Sequence, residues 1–229
     1  MTKEQVRAQI DDVAIIPAVR MASADDAMYA AETVALGGIP VVELTMTVPG
    51  ALDVIARIAR EHPGIVVGAG TVLDLHLAKR CLDAGAMFLT SPGLVTEVVE
   101  FAAAANVVSI PGALTPTEVL RALRSGADYV KIFPCAQVGG PSYIRALKAP
   151  FPDGALIASG GVNQSNASEF ILAGASALGI GEELIPRVAV RDRKADWIQE
   201  LARRFNVMVK QARDRRAAHH AANGEDDRA

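Results

Sequence analysis

Gly126-Ala127-Asp128-Tyr129-Val130-Lys131-Ile132-Phe133-Pro134 is the stretch on which the fold turns. Just before it, Thr117–Leu123 places apolar residues at helical spacing, and Gly126 stands where a helix stops. Tyr129–Phe133 then reads as a buried strand, so helix, glycine stop and strand form one repeating unit. The unit recurs in both directions along the chain. Strands are predicted at Val13–Val19, Pro40–Leu44, Ile65–Gly68, Met87–Thr90, Val107–Ile110, Tyr129–Phe133, Ala155–Ala158 and Ala177–Ile180. Gly37-Gly38, Gly64, Gly85 and Gly174 close other helices, while Ser23, Asp74, Thr115 and Ser165 stand where N-caps belong. Eight strands, each followed by a helix, predict an α/β fold, a (β/α)8 TIM barrel, and 229 residues is close to its minimum length. A doubly wound open sheet shows the same alternation and stays as the alternative.

Residues from Met1 to about Asp12 predict an extra N-terminal helix that covers the barrel bottom. From Ala212 the chain turns charged and Ala-rich without apolar periodicity. The expected organisation is therefore one barrel domain over residues 1–211 and a flexible tail over 212–229.

Composition excludes several classes of function. Hydrophobic residues make up 51% of the chain and aromatics only 4%, so Ala, Val, Ile and Leu must build the core. That suits helices packed on a buried parallel sheet. A net charge of -3 offers no basic surface and argues against a nucleic-acid partner. Cys81 and Cys135 are too few for a disulfide framework or a zinc site, and no metal or cofactor is expected. No apolar run approaches the ~20 residues of a membrane span. With the polar start Met1-Thr2-Lys3-Glu4-Gln5, this predicts a soluble cytoplasmic protein.

Chemistry concentrates where strands end, because barrel strand ends converge on one mouth. Lys131 is a single lysine inside an apolar strand, where an unpaired ammonium is costly to bury. Such a lysine snorkels to water, pairs with a carboxylate, or serves as an amine nucleophile. Arg20 and Glu43 close two other strands, so three charged groups would meet in one dry mouth. A structural salt-bridge cluster is the plainer explanation, but it needs three strand ends to agree by chance. As a site, the set suits imine chemistry. Lys131 attacks a ketone, Glu43 moves protons, Arg20 grips a substrate carboxylate in a two-pronged bond and the Thr71 hydroxyl orients it. These roles fit a small 2-keto acid substrate and carbon–carbon cleavage. The same strand ends add Ser91, Pro92, Pro111, Phe133, Ser159, Gly160, Gly161, Gly181 and Glu182 as substrate or phosphate-loop candidates. Gly68-Ala69-Gly70-Thr71 begins like a dinucleotide fingerprint, but G-x-G-x-x-G fails at Leu73.

Ile16-Pro17-Ala18-Val19-Arg20, Val42-Glu43-Leu44-Thr45-Met46-Thr47-Val48-Pro49, Val67-Gly68-Ala69-Gly70-Thr71-Val72-Leu73 and Ser91-Pro92-Gly93-Leu94 carry a resemblance. Ile110-Pro111-Gly112, Thr115-Pro116-Thr117-Glu118, Val130-Lys131-Ile132-Phe133-Pro134 and Ser159-Gly160-Gly161-Val162 complete it in order. Over Val13 to Pro186 the chain resembles the 2-keto-3-deoxy-6-phosphogluconate and 4-hydroxy-2-oxoglutarate aldolases. The resemblance implies a class I aldolase on a (β/α)8 barrel, usually a homotrimer, that releases pyruvate and an aldehyde. It implies Lys131 as the Schiff-base lysine, Glu43 as general acid/base, and phosphate-loop amides at Gly160 and Gly161. Two departures stand out. Thr47 occupies a place where some relatives carry arginine, which moves carboxylate binding to Arg20. Glu182 follows Gly181 where a serine is usual, and a carboxylate ~4 Å from a phosphate is repulsive by about 1–4 kcal/mol. Either Glu182 turns away or the substrate lacks that phosphate. A same-fold lyase for another keto acid and a non-catalytic anion-binding barrel are the remaining readings.

Overall fold

A computed structural model describes the backbone of residues 1–226 and the side chains of residues 1–219. Its strands are β1 (Ile15–Val19), β2 (Val41–Thr45), β3 (Val66–Gly70), β4 (Phe88–Thr90), β5 (Val108–Ile110), β6 (Gly112–Ala113), β7 (Val130–Ile132), β8 (Leu156–Ser159) and β9 (Ala177–Ile180). All pair in parallel, in the order β5-β4-β3-β2-β1-β9-β8-β7-β6. β5 and β6 are two halves of one strand, separated only by Pro111, which has no N–H to give to a ladder. The first half pairs with β4 and the second with β7, so Pro111 closes the sheet into a barrel of eight positions. The open doubly wound sheet is thereby excluded.

The helices are α1 (Lys3–Val13), α2 (Ala24–Leu36), α3 (Ala51–Glu61), α4 (Leu75–Asp83), α5 (Thr96–Ala104), α6 (Pro116–Arg124), α7 (Pro141–Lys148), α8 (Ala167–Leu172), α9 (Arg187–Arg191) and α10 (Ala195–Asp226). Ser23, Asp74 and Thr115 accept hydrogen bonds from backbone amides three residues on, as predicted from their type. The expected cap at Ser165 is displaced: α8 begins after Asn166, whose Oδ1 accepts from the amide of Asn163. α1 opens with a capping box between Thr2 and Gln5. It buries Val6 and Ile10 and touches β2, β5 and β9. Strands so far apart can be reached together only across the barrel bottom, as the sequence predicts.

The expected boundary at residue 212 falls inside α10. Ala212 is buried, and Arg213 donates to the carbonyls of Asp11 and Asp12 at the end of α1. Arg216 donates to the carbonyls of Ile171 and Ala175 at the end of α8. Helix ends leave carbonyls unpaired, and Arg213 satisfies two of them with charge-assisted bonds. Arg216 adds a bond to Ile171, already paired with the Gly174 amide, and one to the turn before β9. Helix geometry thus continues past the expected boundary; residues 227–229 lie outside the described part.

The register sorts side chains into inward and outward sets. Ala18 pairs with Glu43, Glu43 with Gly68, and Gly112 with Lys131. Because neighbouring residues in register face the same way, Glu43 and Lys131 both point into the barrel. β2 and β7 lie on opposite walls, so the two side chains meet across the axis.

Candidate active site

Lys131 leaves β7 with its amide bonded to the Pro111 carbonyl at 2.8 Å. Its Nζ donates to Oε2 of Glu43 at 3.2 Å, and the two side chains are only 12% and 6% exposed. Nζ also lies 5.8 Å from the centre of the Phe133 ring. A buried pair of this kind must be compensated, since either charge alone is expensive to desolvate. Two protonation arrangements are open to it, ammonium with carboxylate or amine with carboxylic acid. The second presents a nucleophile.

Glycines clear the space for that pair. A Cβ on Gly70 would lie 2.2 Å from Glu43 Oε1, and one on Gly68 would lie 2.3 Å from the Phe88 ring. The Gly-x-Gly of β3 therefore has no bearing on a dinucleotide. It makes room for one ring and one carboxylate. Gly179 does the same for Ser159, whose Oγ would lie 2.7 Å from an added Cβ.

Above the pair opens a cavity of about 330 Å³. Arg20, Glu43, Thr71, Pro92, Lys131, Phe133, Ser159, Gly160, Gly161, Gly181 and Glu182 all line it. Two expected residues do not. Ser91 is buried and donates to the Gly93 carbonyl at 2.6 Å, which holds the turn that presents Pro92. Pro111 sits behind the wall, where its carbonyl anchors the amide of Lys131. Thr71 has φ of 62°, a left-handed backbone that a β-branched residue adopts only under constraint. Such strain at a cavity wall is a recurrent mark of a working site.

Gly160 and Gly161 have φ of 85° and 81°, and a Cβ on Gly161 would lie 2.3 Å from that of Ala136. Both the backbone shape and the close approach require glycine. Glu182 stands beside Arg187. It lines the cavity, yet its carboxylate is 69% exposed and lies 3.9 Å from Arg187 Nε. Arg187 also lines the cavity and was missed in the sequence, because it belongs to no strand end. The two cysteines are poor nucleophile candidates. Burial pushes the Cys81 thiol up to about 11 and the Cys135 thiol up to about 12.

Fold and site define an α/β barrel with a buried lysine–carboxylate pair beneath its open cavity. Known proteins narrow it further. The family model described as KDPG and KHG aldolase matches residues 6–201, and the chain belongs to that family. The 2-dehydro-3-deoxy-phosphogluconate aldolase of Pseudomonas aeruginosa is 34% identical over 200 residues, 86% of this chain and 90% of that one. The KHG/KDPG aldolase of Escherichia coli K12 is 33% identical over 190 residues, 82% of this chain and 89% of its own. Among solved structures, the KDPG aldolase of Legionella pneumophila, with pyruvate captured as a covalent carbinolamine, has a TM-score of 0.81. It is 29% identical and the match covers 87% of this chain and 97% of that one. The chain is thus a class I aldolase of this family. Among its described residues, no helix is long and apolar enough to cross a membrane.

Proposed function

We propose that the chain cleaves a 4-hydroxy-2-oxo acid to pyruvate and an aldehyde through an imine on Lys131. The observation that carries this reading is the 3.2 Å contact between Lys131 Nζ and Glu43 Oε2 beneath an open cavity. With the proton on Glu43, the amine attacks the C2 ketone and a carbinolamine forms. Glu43 donates that proton to the departing hydroxyl, and water leaves as the iminium forms. The carboxylate then takes the proton of the C4 hydroxyl. The C3–C4 bond breaks, its electron pair moves into the iminium, and the aldehyde departs. Glu43 returns its proton to C3 of the enamine, and water releases pyruvate. The iminium itself accepts the electrons, so turnover is expected to be indifferent to chelators.

Arg20 and Thr71 are assigned to the substrate carboxylate. Among the described residues no carboxylate pairs with Arg20, which leaves its guanidinium open for a bidentate contact at the cavity rim. Gly160, Gly161 and Gly181 supply backbone amides to the distal end of the substrate. The substrates named for the relatives, 2-dehydro-3-deoxy-phosphogluconate and KHG, are the two to test first. The same reading extends to a cytoplasmic homotrimer, on the strength of the family resemblance.

The test is pyruvate release from both substrates, followed through lactate dehydrogenase, in wild type and Lys131→Ala. Wild-type turnover with at least one substrate, lost in the variant and unchanged by EDTA, is the expected result. Substantial turnover by a folded Lys131→Ala protein overturns the imine mechanism.

A further inference from the structure

Thr90 at the end of β4 is 2% exposed, and its Oγ1 meets no hydrogen-bond partner among the described residues. A buried hydroxyl without a partner is destabilising, and valine has nearly the same shape without that cost. The fold alone gives no reason for threonine here.

The register shows what Thr90 faces. Ala69 pairs with Leu89, which sets Gly68 level with Phe88 and Gly70 level with Thr90. The lower gap, over Gly68, is filled from β4 by the Phe88 ring. The upper gap, over Gly70, is filled from β2 by the Glu43 carboxylate, with Oε1 nearest. Thr90 therefore borders from one side the gap that Glu43 enters from the other. Lys131 holds Oε2 of Glu43 at 3.2 Å, while Oε1 has no donor among the described residues. An unpaired buried hydroxyl thus borders the gap that Oε1 of Glu43 occupies.

We infer that Thr90 is a positioning residue for Glu43, bonding Oε1 after a turn about its own side chain or through one bridging water. The inference rests on the proposed role of Glu43 as proton carrier. A hydroxyl suits that role because it donates to a carboxylate and accepts from a carboxylic acid. It thus supports both states between which Glu43 alternates. It matters most at the enamine, when the Lys131 nitrogen no longer carries the positive charge that held Glu43.

The experiment is exchange of pyruvate methyl protons for deuterium, followed by proton NMR in D2O with no aldehyde present. The exchange reports proton transfer at the enamine carbon, and borohydride trapping of pyruvate reports imine formation separately. Thr90→Val is expected to slow exchange by about 3–10-fold, the usual scale for one ordinary hydrogen bond. Trapping carried to completion should reach the wild-type level, which also shows that the variant folds. Thr90→Ser should restore exchange to within about twofold of wild type, since it returns the hydroxyl. Wild-type exchange in Thr90→Val overturns the inference. A Thr90→Ser as slow as Thr90→Val also overturns it, because shape alone would then be responsible. No exchange by the wild type overturns the aldolase reading underneath, and this inference with it.

Discussion

Replacing Gly70 with alanine probes the site without touching a charged group. The added Cβ would lie 2.2 Å from Glu43 Oε1 and 2.6 Å from its Cδ and Cγ. Ordinary contact begins near 3.4 Å, so the carboxylate must retreat by about 1.2 Å. The Lys131–Glu43 contact, 3.2 Å at present, then passes beyond hydrogen-bonding reach. A misplacement of about 1 Å in a catalytic group costs roughly 10² in rate, and that is the predicted fall in kcat. Stability should change less. Crowding a packed site costs about 1–3 kcal/mol, and removing a glycine from a strand returns about 0.5–1 kcal/mol. The assay is pyruvate release beside urea denaturation, with Gly64→Ala as control, since nothing lies within 4 Å of a Cβ there. A kcat for Gly70→Ala within about threefold of wild type refutes the claim that this glycine exists to seat Glu43.

Two further outcomes follow from the periphery. Glu182→Ser should raise kcat/KM for a phosphorylated substrate by about 2–5-fold, because an exposed charge ~4 Å away is worth about 1 kcal/mol in water. The gain should shrink at 0.5 M salt, and no gain at low salt removes Glu182 from the phosphate's surroundings. Arg216→Met should lower unfolding free energy by about 1–2 kcal/mol through loss of its bonds to Ile171 and Ala175, with kcat unchanged. Unaltered urea midpoints show that the end of α10 adds nothing to the barrel.

Much of this was legible in sequence because the alternation of apolar strand and amphipathic helix is a local signal. All eight predicted strands occur: Ala177–Ile180 matches at both ends, and the ends of the others move by no more than two residues. Strand ends also placed Arg20, Glu43 and Lys131 at one mouth, since barrel topology turns sequence position into spatial position. What failed to show was non-local. The break at Pro111 that closes the barrel depends on two different neighbours for one strand. The glycines of β3 are explained only by what crosses from β2 and β4, which no spacing along β3 reveals. Arg187 enters the cavity from a helix beyond the last strand. The continuation of α10 has the same origin. Its apolar periodicity fades after 212, but Arg213 and Arg216 find helix-end carbonyls that are remote in sequence.

The central claim is that Lys131 forms an imine with pyruvate. Reduction with borohydride in the presence of pyruvate, followed by peptide mass mapping, tests it most directly. The account predicts one adduct of reduced pyruvyl mass, confined to Lys131 and absent from Lys131→Ala. An unmodified Lys131, under conditions that trap pyruvate on another class I aldolase, contradicts it.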